Sequence, residues 1–106
     1  MARADIKRGD IWLVDLGMME KRRPVVVLSV EYEGHERALV TYVARTTAIR
    51  GTRFEVLHVG RGFKNGVFDA QNLGTVPAVR LERKLASLNS GILAEVEAAV
   101  RRWLNL

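Results

Sequence analysis

Residues 21–29 read Lys21-Arg22-Arg23-Pro24-Val25-Val26-Val27-Leu28-Ser29. The unbroken apolar run 25–28, three-quarters β-branched, shows no polar alternation and predicts a strand buried on both faces. Pro24 fits at its start, where no ladder N–H is required. Such a strand needs partners, and the chain supplies them in both directions. Upstream, residues 11–16 mix apolar and aromatic side chains after the turn residues Gly9-Asp10. Downstream, residues 38–44 form a third strand, and residues 54–59 a fourth with Phe54, Val56 and His58 on one face. The stretch Gly60-Arg61-Gly62-Phe63-Lys64-Asn65-Gly66 is a loop. Val67-Phe68 opens a fifth strand towards Asn72-Leu73, and residues 79–85 fit a short strand or a helical turn.

The last segment changes period. Asn89 or Ser90 caps a helix beginning at Gly91 or Ile92. Ile92, Val96, Ala99, Val100, Trp103 and Leu104 then share one stripe, with Arg101 and Arg102 near the end where they complement the helix dipole. The fold class is mainly β with a C-terminal amphipathic helix, which suits a small SH3-like or OB-like antiparallel barrel.

At 106 residues the chain predicts one domain, 1–106. Its 48% apolar and 27% charged composition is that of a folded chain rather than a disordered one. No apolar run approaches the ~18 residues of a membrane span, and Met1-Ala2-Arg3-Ala4-Asp5 lacks the apolar core of a signal peptide. The expectation is a cytoplasmic protein without membrane contact. Without cysteine there is no disulfide frame, thiolate nucleophile or thiolate metal site. Two separated histidines give no zinc spacing, so neither metal nor cofactor is expected. His35 belongs to a charged turn, and His58 reads as a satisfied core residue.

Seventeen Lys and Arg against twelve Asp and Glu leave a net charge of +5, and thirteen of the seventeen are arginine. The planar guanidinium fork suits phosphate better than a compact ammonium does. A basic surface also attracts membranes and acidic proteins, so charge alone gives nucleic acid only a weak preference. Lys21, Arg22, Arg45, Arg50 and Arg53 cluster in sequence around residues 23 and 46, and each taken singly reads as a solvated charge. Trp12, Phe54 and Phe63 are available for stacking on bases, although Trp12 and Trp103 fit the core better.

Three blocks in fixed order carry a resemblance: Arg8-Gly9-Asp10-Ile11-Trp12-Leu13-Val14-Asp15-Leu16, then Arg23-Pro24 running into its strand, then Thr46-Thr47 with Gly51 and Phe54-Glu55-Val56. Together they resemble the MazF/PemK family of toxins, the endoribonucleases (mRNA interferases) of type II toxin–antitoxin systems, over roughly residues 6 to 105. The resemblance implies an SH3-like barrel, a homodimer, single-stranded RNA or mRNA as substrate and an acidic antitoxin as partner. It implies that Arg23 and Thr46 are catalytic, and that cleavage runs through a 2′,3′-cyclic phosphate without a metal. Glu20, Lys21, Arg22, Arg45, Thr47, Arg50, Arg53 and Gln71 are the expected RNA-contacting residues. Two departures stand out. The first loop is short, with Glu20 loosely in the place of a longer polar stretch. Gln71-Asn72 also replaces a pair that often begins with a carboxylate, leaving Asp69 two residues upstream. Two alternatives use similar folds: a non-enzymatic gyrase poison resembling CcdB, and a nucleic-acid-binding barrel without activity.

Overall fold

The computed structural model describes residues 5–17 and 21–106. Six strands, β1 (Asp10–Asp15), β2 (Arg22–Val27), β3 (Leu39–Thr46), β4 (Glu55–His58), β5 (Gly66–Pro77) and β6 (Leu81–Ser87), precede the helix α1 (Ser90–Leu104). All pairings are antiparallel and give one sheet in the order β4-β5-β3-β2-β1-β6. β4 and β6 are its edges among the described residues, so the expected barrel takes the form of an open sheet. Among these residues, no helix is long and apolar enough to cross a membrane.

The valine run behaves as its composition dictates. Val25, Val26 and Val27 are all buried, because the sheet carries a hydrophobic cluster on either side. One cluster gathers Trp12, Val14, Val25, Val27, Tyr42 and Ala44 with Leu81. The other joins Ile11, Val26, Val43, Val56 and Phe68 to the helix residues Val96 and Ala99. Pairing continues past the apolar run to Arg22, so Pro24 sits within β2, opposite Leu13 of β1, rather than at its start. β3 likewise extends two residues beyond the expected end and takes in Thr46.

β5 is longer than expected and irregular. Val43 pairs with Leu73 but the next residue, Ala44, pairs with Asp69, so Ala70, Gln71 and Asn72 form a bulge. Ala70 turns inward, and its N–H donates to the Phe54 carbonyl at 2.9 Å. Both readings of residues 79–85 hold in part: a 3₁₀ turn at Ala78–Arg80 leads directly into β6.

Asn89 caps α1, its side chain accepting from the Ile92 N–H at 2.8 Å. Trp12 is core as expected, with 2% of its surface exposed. Trp103 is not: it remains 43% exposed and packs edge-on against Phe54 at 5.3 Å. Replacing Phe68, fully buried beneath the helix, with alanine should cost about 3–5 kcal/mol. Asn89→Ala should cost about 1 kcal/mol through the lost cap. Urea unfolding followed by circular dichroism reads both.

Candidate active site

Val27, Val26 and Val25 of β2 pair with Tyr42, Val43 and Ala44 of β3. Extending this register two residues brings Arg23 opposite Thr46. Opposed residues of an antiparallel pair project from the same side at about 5 Å between Cβ atoms. The two residues meet because core valines fix the register, and they lie at the end of the sheet where the apolar pattern stops.

Two cavities flank this pair. The first, about 610 Å³, is lined by Arg22, Arg23, Thr46, Thr47, Arg61, Phe63, Lys64 and Arg83 among others, and no carboxylate borders it among the described residues. The second, about 510 Å³, is lined by Arg23, Thr46, Ala48, Arg50, Asp69, Gln71 and Asn72. Arg23 and Thr46 are the residues common to both. The bulge in β5 is what delivers Gln71 and Asn72 to the second cavity.

Thr46 is held by its own turn. Its Oγ1 accepts from the Ala48 N–H at 3.1 Å, which leaves the hydroxyl hydrogen to donate into the cavity. The following loop is organised by Glu55, whose carboxylate accepts from the backbone N–H groups of Arg50, Gly51 and Thr52, the Gly51 bond being 2.7 Å. Gly51 has φ +74, a conformation in which a side chain is strained. The Gly51 and Glu55 spacing after Thr46 therefore has a mechanical cause: it closes the loop and aims residues 48–50 at the second cavity.

The expected RNA-contacting residues divide. Arg22 and Thr47 face the first cavity, and Arg50 and Gln71 the second. Arg22 is exposed and donates to Glu82 at 2.7 Å, which raises its pKa further. Arg53 lines neither cavity; its guanidinium lies 4.7 Å from the Phe54 ring centroid. Lys21 also lines neither and is exposed, its N–H donating to the Gly17 carbonyl. Glu20 lies outside the described residues.

Arg45 requires a correction. It is 4% exposed, and its guanidinium is bound inside the protein. Nε donates to His58 Nδ1 at 2.8 Å, and Nη2 to the carbonyls of His58 and Lys64. It lines the first cavity with Nε and Nη2 engaged inside the protein. The alternation of β3 turns it to the side opposite Thr46, where β4 and the loop cover it.

Arg61, Lys64 and Arg83 were not among the expected site residues. The first two belong to a glycine-rich loop whose cations and aromatic were a usable signal. Arg83 has no local signal, because only the pairing of Leu13 with Arg83 brings β6 to the cavity.

A model of the PemK-like, MazF-like toxins of type II toxin–antitoxin systems matches residues 7–104. The chain belongs to this family. The MazF-like fold recurs in solved structures. Toxin MazF-mt6 of Mycobacterium tuberculosis is 26% identical with a TM-score of 0.79, over 92% of this chain and 97% of that one. A mycobacterial endoribonuclease in complex with its cognate antitoxin shares 23% identity with a TM-score of 0.82, over 95% and 96%. The Deinococcus radiodurans MazE–MazF complex (Form II) shares 22% with a TM-score of 0.80, also over 95% and 96%. No match was found among curated protein sequences.

His58 of this MazF-like toxin is buried as expected, its ring against Phe63 and Phe68 at 5.2 and 5.0 Å. Accepting at Nδ1 makes it neutral with its proton on Nε2. Burial first, and the Arg45 charge second, lower its pKa below the ordinary value of about 6.5. Burial also lowers that of Arg45, which remains cationic. The unfolded chain therefore takes a proton at residue 58 before the folded one does. Its contribution to stability is intact above about pH 6.5 and declines as pH falls through that value towards the lower folded-state pKa. The urea midpoint should drop between pH 7.5 and 5.5, and His58→Asn, which keeps an acceptor but cannot titrate, should flatten that part of the drop.

Proposed function

We propose that the chain is a sequence-specific endoribonuclease that cleaves single-stranded RNA, including mRNA, by attack of a ribose 2′-hydroxyl on the adjacent phosphate. The observation that carries this reading is that Arg23 and Thr46 form the shared wall of the two cavities. A strand laid across that wall places one phosphate at the pair and a nucleotide on either side.

The attack forms an O2′–P bond and breaks the P–O5′ bond. The products are a 2′,3′-cyclic phosphate and a 5′-hydroxyl, the O2′ proton being lost and O5′ gaining one. Charge accumulates on the non-bridging oxygens, where the Arg23 guanidinium supplies charge-assisted donors and the Thr46 hydroxyl a further one. The nucleophile belongs to the substrate, so Thr46 needs no activating base. Among the described residues neither cavity is lined by a histidine, and the reading rests on electrostatic stabilisation rather than an imidazole pair. The catalytic step uses no metal.

Arg22, Arg61, Lys64 and Arg83 around the first cavity suit backbone phosphates. Asp69, Gln71 and Asn72 suit an unpaired base edge. The toxin acts as a homodimer in the cytoplasm and is held inactive by an acidic antitoxin. The two relatives solved with an antitoxin, on the same fold, support that pairing.

The test is cleavage of a long unstructured RNA in EDTA, with ends mapped by sequencing. Discrete cuts at a recurring short sequence are expected. Arg23→Ala and Thr46→Ala should each lower the rate by about 10²–10³ while retaining the fold. Intact RNA would move the reading to a gyrase poison or a binding barrel, which supercoiling and RNA-binding assays separate.

A further inference from the structure

Residues 59–65 join β4 to β5 and form one side of the first cavity through Arg61, Gly62, Phe63 and Lys64. The loop has little secondary structure of its own beyond the Phe63 N–H donating to the Gly60 carbonyl at 3.0 Å. What fixes it lies beneath. Arg45 reaches out of β3, takes the Lys64 carbonyl with Nη2, and lies 5.0 Å from the Phe63 centroid. The same guanidinium is held from the other side by His58, through both its ring Nδ1 and its carbonyl. No buried side-chain polar atom lacks a partner among the described residues.

The glycines at the ends of the loop show how closely it sits on this support. A Cβ at Gly66 would stand 2.6 Å from the Thr46 carbonyl oxygen and 2.9 Å from Arg45 Nη1. One at Gly60 would stand 2.9 Å from the His58 ring. Neither position has room for a side chain.

We infer that Arg45 and His58 are positioning residues, a buried clasp that holds the 59–65 loop so that Arg61 and Lys64 face the RNA phosphates across from Arg23 and Thr46. Neither touches the reacting atoms. The inference rests on the nuclease reading of the same site and adds a mechanism for its substrate affinity. The groups facing the imidazole are Arg45 from β3, Phe63 from the loop and Phe68 from β5; of these Arg45 alone is charged. A proton on Nδ1 would remove the acceptor and set two cations against each other, so the clasp opens in acid.

The test measures binding of a labelled single-stranded 2′-O-methyl RNA, which cannot supply the attacking hydroxyl, across a series of salt concentrations. Each lost phosphate contact shallows the log–log salt slope by about 0.7, so Arg61→Ala with Lys64→Ala should shallow it by about 1.4. His58→Leu should do the same, His58→Asn should leave it unchanged, and His58→Leu added to the loop pair should have no further effect. Exchange of the Phe63 amide, which is bonded to the Gly60 carbonyl, should quicken at least about tenfold in His58→Leu only. A folded His58→Leu with the wild-type slope, or a triple variant with additive loss, overturns the proposal. Should His58→Leu fail to fold, wild type is compared with His58→Asn at pH 7.5 and at an acid pH where the imidazole NMR signal of the folded protein shows His58 protonated. The salt slope and the amide protection, taken relative to the intrinsic exchange rate at each pH, must change in the wild type alone, and equal behaviour overturns the clasp. Wild-type protein that binds no RNA defeats the nuclease reading itself, and the exchange arm then still decides whether the clasp holds the loop.

Discussion

Strand β3 is paired on both sides, and its register against β2 is the constraint on which the site depends. Val25, Val26 and Val27 face Ala44, Val43 and Tyr42, and all six are buried. A slip of one residue would turn each β2 side chain towards the wrong cluster and carry Arg23 away from Thr46. The apolar residues thus set a polar geometry they take no part in. Arg23 and Thr46 lie near the ends of core strands, the part of the sheet where position is fixed and burial is not required.

The second determinant is the interruption of β5. Three residues inserted between the partners of Val43 and Ala44 break the ladder, yet each has a use. Ala70 fills the core and bonds the Phe54 carbonyl. Gln71 and Asn72 leave the ladder and reach the second cavity. The bulge converts a strand that would otherwise serve packing alone into one wall of a site.

Arginine is the commonest charged residue of the chain, and it plays at least three parts. Arg23 lines both cavities, Arg45 is internal and hydrogen-bonded through Nε and Nη2, and Arg53 lies over an aromatic ring at the surface. Net charge predicts an affinity for polyanions and cannot distribute these parts. The first cavity is basic because cations from β2, β6 and the 59–65 loop converge there with no carboxylate among its described lining residues, which is a fact of topology.

The sequence by itself determined the strand at residues 25–27, the capped helix at the C-terminus, the buried Trp12 and His58, and the family resemblance that singled out Arg23 and Thr46. These follow from short-range rules: side-chain period, capping chemistry and motif spacing. Only the tertiary structure decided that Arg45 lies inside and Arg53 lies off the site, that Trp103 is half exposed, and that Arg83 belongs to the first cavity. Each of those depends on which strand lies next to which. Period-two alternation gives a residue its side of the sheet but does not say what covers that side. For Arg45 the cover is β4 and its loop, and for Arg83 the nearness comes from a pairing between strands almost at opposite ends of the chain.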